Sequence, residues 1–338
     1  MARIFLSFIL ILGLIFTSGN ALAETATIKI GSHTPPKSAH IGQGLIPWCR
    51  AVEKDAGGTL KFKEFWGGQL SRSPKKQYEI MINGIQDATP VLPSYTQELF
   101  PDFSLFSLPY MFRNPEEGSI AMWKMYEMGL VGGLDKVYVA AVYNNGNSLL
   151  HFSKKLEKGD NIKGLKIRAS GPEEAAVIKA MGGVPVGMSV TQVAESLNRG
   201  VIQGALSGWA AAKSFRFIPL VKTHYEEPMG VRTFFLGINK KVYDGLPEKA
   251  KQAIQKNSGL ALSRRIGGEV YGVQMKRLRK QAIDDPKRNL IALSEAEKEK
   301  RFADLFKPFH DEWIKTHKDG QKKYDALMKT LAEIRKGR

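Results

Sequence analysis

The sequence holds a single cysteine, Cys49, so the chain cannot be stapled to itself by a disulfide. Cys49 lies between Trp48 and Arg50 in a helix-like stretch, with no metal-ligand spacing around it, and reads as a small buried hydrophobe. The six histidines, His33, His40, His151, His224, His310 and His317, form no H-E-x-x-H or Cys/His pattern, so no metal site is expected. Also missing are a G-x-S-x-G elbow, a P-loop and a G-x-G-x-x-G following a strand, and neither a catalytic residue nor a cofactor is expected. Acids are scarce as well: 33 Asp and Glu stand against 50 Lys and Arg, a formal charge of +17. Such a balance suits nucleic acid, an anionic membrane surface or small acidic molecules. The lysines, however, are dispersed or interleaved with acids, as in residues 295–301, which reads as a solvated helix face.

Beyond the first residues there is no run of eighteen apolar side chains, so no membrane-spanning helix is expected in the mature chain. The start is different. Arg3 is followed by an apolar run from Ile4 to Phe16, broken only by Ser7, and then by small residues ending Ala21-Leu22-Ala23. That order is expected to be a signal peptide, residues 1–23, cleaved before Glu24, which places the mature protein in the periplasm and argues against nucleic acid as a partner. No cysteine stands at the cleavage point to carry a lipid.

From Thr27 onward the pattern is strand, helix, strand, helix, strand with short glycine loops. Strands are expected at 27–30, 60–66 and 87–92, the last interrupted by Pro90, with helices at 38–55 and 74–84 between them. A second unit repeats the arrangement: strands at 137–144, 164–170, 184–188 and 201–207, helices at 172–181 and 190–198. Two α/β lobes are expected, 24–145 plus about 235–275 and 146–234 plus about 276–338, joined by two crossings around a cleft. From Glu248 to Asp284 no proline occurs and apolar residues recur at helical spacing, which predicts one helix of about 55 Å spanning both lobes, weakened at Gly259, Gly267, Gly268 and Gly272. Further helices are expected at about 295–316, breaking near Pro308, and at 320–335.

Within the second unit, Arg168 stands where the strand 164–170 runs out. Ligands in open α/β sheets bind at the carboxyl ends of strands, and a guanidinium matches a carboxylate with two parallel hydrogen bonds. Arg168 is therefore the first candidate for gripping an acid, a surface ion pair being its plain alternative.

The segment Gly164-Leu-Lys-Ile-Arg168 resembles the G-L-K-I-R motif of the DctP-like substrate-binding proteins of tripartite ATP-independent periplasmic (TRAP) transporters. Gly57-Gly58-Thr-Leu-Lys-Phe62 with Gly68-Gln69-Leu70, Phe100-Pro101 with Leu108 to Phe112, and Gly182 to Met188 are similar to other pieces of that family in the same order. The resemblance implies a two-lobed periplasmic-binding-protein fold of type II-like architecture, with Arg168 pairing with the ligand's carboxylate and membrane permease subunits as partners. Residues that differ from other members at matching positions, Ser148, Ser207, Val190, Tyr95 and His33, imply a pocket that holds one carboxylate and is less polar elsewhere. Trp209, Trp66 and Phe234 are expected either to line the cleft or to pack in the lobe cores. If they line it, an aromatic or otherwise apolar monocarboxylate is favoured. C4-dicarboxylate or 2-oxo acid binding, service to a membrane signalling protein, an exported enzyme using His33, and dimerisation through the long helix are the alternatives.

Overall fold

The computed structural model describes residues 25–337; the expected signal peptide lies outside them. Among the described residues no helix is long and apolar enough to cross a membrane. Eleven strands of the described residues make two sheets. The first contains Ala26–Gly31 (β1), Leu60–Phe65 (β2), Ala88–Val91 (β3), Val137–Asn147 (β4) and, from later in the chain, Val231–Asn239 (β10), in the order β2-β1-β3-β10-β4. The second contains Leu149–Phe152 (β5), Lys166–Ala169 (β6), Val184–Gly187 (β7), Gly204–Ser207 (β8), Thr223–Glu226 (β9) and Asn289–Ala292 (β11), in the order β11-β9-β5-β8-β6-β7. β1, β2 and β3 run parallel and β10 opposes its neighbours; β6, β7 and β8 run parallel and β5 opposes β8 and β9. This is the expected α/β architecture of two lobes.

Period-two alternation sorts the strand residues between layers. In β10, Phe234, Leu236 and Ile238 pack with Trp48 and Val52 of helix Ile46–Ala56, whereas Phe235 packs with Met122 and Met125 of helix Pro115–Glu127. In β6, Ile167 and Ala169 join Val177 and Ile178 of helix Pro172–Ala180, which turns Arg168 to the other side of the second sheet.

The lobes are joined where β4 passes through Ser148 into β5 and where β9 returns through residues 227–230 into β10. The two passages bond to each other: Ser148 N–H donates to the Gly230 carbonyl at 2.7 Å, and Met229 N–H to the Ser148 carbonyl at 3.3 Å. Gly230 has φ +81°, and a Cβ there would lie 2.0 Å from the Ser107 carbonyl oxygen. Only glycine fits that backbone and that space.

The long helix departs from expectation. Helix Glu248–Lys256 stops, Gly259 adopts φ +83° with its N–H on the Ala140 carbonyl, and a new helical run begins at Leu260. Residues 260–283 then continue with a wider π turn at Ile266–Gly272, packing first on helix Pro115–Glu127 and β4 and later on helix Trp209–Ser214 and β11. A shorter helix does the spanning, because Gly259 allows the left-handed break.

The expectation for residues 276–338 is also corrected. Phe306 is in the core of the second lobe, but Trp313, Leu327 and Leu331 pack with Met122, Met125 and Phe235 against the first sheet. The apolar stripe of helix Gly320–Lys336 finds its complement on helix Pro115–Glu127, which the sequence reading passed over.

Candidate ligand-binding cleft

The loops that follow β1, β3, β6 and β7 converge between the sheets, each at the carboxyl end of a parallel strand. Those after β1, β3 and β7 border, with the beginning of β10, helix Trp209–Ser214 and the π turn, a cavity of about 40 Å³. That is a few times the ~10–15 Å³ one water requires. His33, Thr34 and His40 enter from the first lobe with Leu92 and Tyr95; Val190, Ala210, Ala211, Ser214 and Phe215 enter from the second; Asn145, Arg232, Phe234 and Tyr271 come from the crossings and the spanning helix.

Two buried arginines meet beside this cavity. Arg168 is fully enclosed, and donates from Nε to the Met188 carbonyl at 3.0 Å, from Nη1 to the Leu206 carbonyl at 3.2 Å and from Nη2 to the Tyr95 hydroxyl at 2.9 Å. Each terminal nitrogen keeps one further N–H, so the fork is not spent. Arg232, in β10, donates from Nη2 to the same Leu206 carbonyl at 2.7 Å, and touches Ser170 Oγ at 3.4 Å and Ser148 Oγ at 3.3 Å. Its Nη2 also lies 2.5 Å from the Glu174 carboxylate, whose other oxygen is 4.0 Å from Arg168 Nη1 and accepts the Ser170 N–H at 2.7 Å. Burial lowers the Arg168 pKa from its ordinary value.

Tyr95 closes the cleft. Its oxygen accepts from Arg168 and from Val190 N–H at 3.1 Å, which ties a loop of the first lobe to two strand ends of the second and leaves its own proton to donate. Beside it Gln97 donates to Glu173, and a Cβ on Gly171 would come within 2.7 Å of the Ser94 carbonyl. Burial raises the Glu173 carboxyl to about 7.

The remaining walls are uncharged. Burial lowers His33 to about 4 and His40 to about 3, so both imidazoles are neutral at pH 7. His33 stacks on Phe215, and His40 on Tyr271 beside Phe234. His33 Nδ1, His40 Nε2 and Asn145 Oδ1 are buried without a partner among the described residues. Buried polar atoms are normally bonded, and unpaired ones at a cavity mark where a ligand or water is received.

Of the residues singled out from sequence, His33, Tyr95, Val190 and Phe234 line the cavity, and Arg168 lies directly behind Tyr95. Ser148 touches Arg232 from the crossing, and Ser207 is buried at the end of β8 with an unpaired hydroxyl. Trp209 packs instead against His151 and His224, and Trp66 is in the first lobe's core with its indole N–H on Glu64. Arg232, Glu174, His40, Asn145, Phe215 and Tyr271 were not among the candidates. Arg232 left a readable signal, a lone charge in the otherwise uncharged strand Val231–Asn239. Glu174 left none, since acids in a first helical turn are ordinary partners of the helix dipole.

Comparison with known proteins identifies the family and the fold. A solved TRAP solute-binding protein from Rhodoferax ferrireducens, in complex with copurified benzoate, superposes with a TM-score of 0.85 at 26% identity, covering 92% of this chain and 99% of that one. A marine metagenome TRAP solute-binding protein specific for aromatic acid ligands, holding 3-hydroxybenzoate, has a TM-score of 0.85 at 24% identity, covering 91% and 98%. The C4-dicarboxylate-binding periplasmic protein DctP of Rhodobacter capsulatus is 24% identical over 246 residues, 70% of this chain and 72% of that protein. The sequence profile of the bacterial extracellular solute-binding proteins of family 7, DctP, matches residues 31–316, and the chain belongs to that family.

Proposed function

We propose that this chain is the periplasmic receptor of a TRAP transporter, capturing an aromatic or otherwise apolar monocarboxylate between its lobes and delivering it to the membrane permease subunits. One observation carries the reading: the cavity has a guanidinium on one side and rings or aliphatic carbons on most of the others. A ring buried among Phe234, Phe215 and Tyr271 supplies binding area, while the carboxylate is received by Arg232 and by Tyr95, with Arg168 behind the tyrosine. The benzoate held by the relative from Rhodoferax ferrireducens supports the same ligand class. The ligand leaves unchanged: the reading assigns no nucleophile or general base, and the imidazoles act as neutral hydrogen-bonding walls.

Closure is the working step. The ligand touches both lobes, so it stabilises the closed form through contacts the open form cannot make, and the permease recognises that form. The test is calorimetry and thermal shift with benzoate, 3-hydroxybenzoate, mandelate and succinate on wild type, Arg168→Ala and Arg232→Ala. At ~100 times its dissociation constant, a ligand should add about 2.7 kcal/mol of stability. Arg232→Ala should weaken the preferred acid at least ~100-fold, the loss expected when one partner of a buried charge pair is removed, and Arg168→Ala, which acts through Tyr95, should weaken it ~10-fold or more. Binding indifferent to both arginines would sink the assignment.

A further inference from the structure

Arg232 lines the cavity and Arg168 lies behind it, yet the two share their partners. Arg232 and Arg168 donate to one carbonyl, that of Leu206, and a single acid, Glu174, lies against both: 2.5 Å from Arg232 Nη2 and 4.0 Å from Arg168 Nη1. Glu174 is fixed in place from its own side by the Ser170 N–H, and its side chain is only 13% exposed, so it cannot swing out to water without breaking a buried contact. Two buried cations and one buried anion leave one positive charge. Among the described residues no other cation lines the cavity: His33 and His40 are neutral, and Thr34, Asn145, Ser214, Tyr95 and Tyr271 are uncharged. Glu173, next in the chain, faces Gln97 across the closure and, raised to about 7 by burial, adds no charge below that pH.

We propose that Glu174 is an internal counter-ion that sets the charge of the ligand, so that the cleft accepts a monoanion and rejects a dianion of the same shape. The inference rests on the reading of this cavity as the ligand site. Its physical basis is the cost of enclosing an uncompensated charge: one carboxylate balances the remaining positive charge, and a second would be buried among rings and neutral polar groups with no cation to meet it. Glu174 is thus a specificity-determining residue rather than a contact for the ligand. It also places Arg232, holding its guanidinium toward the cavity from the crossing strand.

The experiment compares 3-nitrobenzoate with isophthalate, which differ mainly in that a neutral nitro group replaces a second carboxylate, on wild type, Glu174→Gln and Glu174→Asp by titration calorimetry at pH 6, where Glu173 is protonated and isophthalate carries both charges. Wild type should prefer 3-nitrobenzoate by at least ~100-fold. Glu174→Gln should narrow that ratio tenfold or more, with isophthalate gaining in absolute affinity. Glu174→Asp, which keeps the charge, should retain the ratio even if both acids bind more weakly. Thermal unfolding of each variant without ligand identifies any general loss of structure. A ratio unchanged in Glu174→Gln overturns the counter-ion role while leaving the site standing. Tight wild-type binding of isophthalate overturns it too. Failure of wild type to bind either acid takes down the reading of the cavity together with the inference.

Discussion

Tyr95 shows what one residue does in this cleft. Its oxygen takes a hydrogen bond from a buried guanidinium and another from a backbone N–H, both belonging to the opposite lobe. Replacing it with phenylalanine leaves both donors without an acceptor in the closed form, while in the open form water can satisfy them. Leaving such groups unsatisfied costs about 1–3 kcal/mol. Tyr95→Phe is therefore expected to weaken ligand affinity by roughly 5- to 150-fold, with a smaller change in the unfolding midpoint of the free protein. Calorimetric affinities within threefold of wild type would show that the hydroxyl does not bear on closure. Arg168 could be picked out from sequence because a charge at a strand end is a local feature. Tyr95 was named only as a position that differs from other family members, and its pairing with Arg168 was not legible, since the two lie 73 residues apart and nothing local couples them.

At the scale of elements, strands with clear period-two alternation were legible, and β1, β2, β4 and β6 fall close to where the pattern placed them. β5, β9 and β11 were not read: each pairs only with strands distant in sequence, which no local pattern announces. Helix Pro115–Glu127 carried a readable start, Asn114 capping and Pro115 at its first position, but it is buried on several sides and so lacks a clean apolar stripe. The crossing strands yield a prediction of their own. Gly230→Ala combines a left-handed φ, worth about 1–3 kcal/mol for a non-glycine residue, with a backbone clash at Ser107. Its unfolding midpoint should fall by ~5 °C or more, and further than in Gly58→Ala, where φ is +89° but a Cβ meets nothing within 4 Å. Equal losses in the two variants would mean that the crossing is loosely packed. The break at Gly259 belongs to the same class: four glycines in the 248–284 stretch pointed to weakness, but only tertiary placement, the Ala140 carbonyl waiting for the Gly259 N–H, decides which one ends a helix.

For the whole molecule, buried histidines link stability to pH. His33 is lowered to about 4, His40 and His224 to about 3, and His151 lies well below its ordinary value, all chiefly through burial. His151 and His224 face each other with 2.8 Å between their Nδ1 atoms. A histidine whose folded pKa is depressed binds its proton more readily when unfolded, so its contribution to stability is complete above about pH 6.5 and is lost as pH falls toward 3. Each can remove up to about 1.4 kcal/mol per pH unit in that window. Glu173, raised to about 7, acts in the opposite sense: its contribution is complete below 4.5 and is lost as pH rises through 7. Urea unfolding at pH 7, 6 and 5 should show stability falling with acid, the four histidines outweighing the one carboxyl; a flat profile would count against their neutral burial. The lobe contacts have a different consequence. Tyr95 with Arg168, Gln97 with Glu173, and Ser94 against Gly171 are made by protein groups alone. Whatever they contribute to closure is contributed to the empty receptor as well as the loaded one, and only the ligand's own contacts separate the two. A permease that reads shape therefore sees a background of empty receptors. The strength of these three contacts sets that background, making fidelity of transport a matter of how weakly the lobes attract each other.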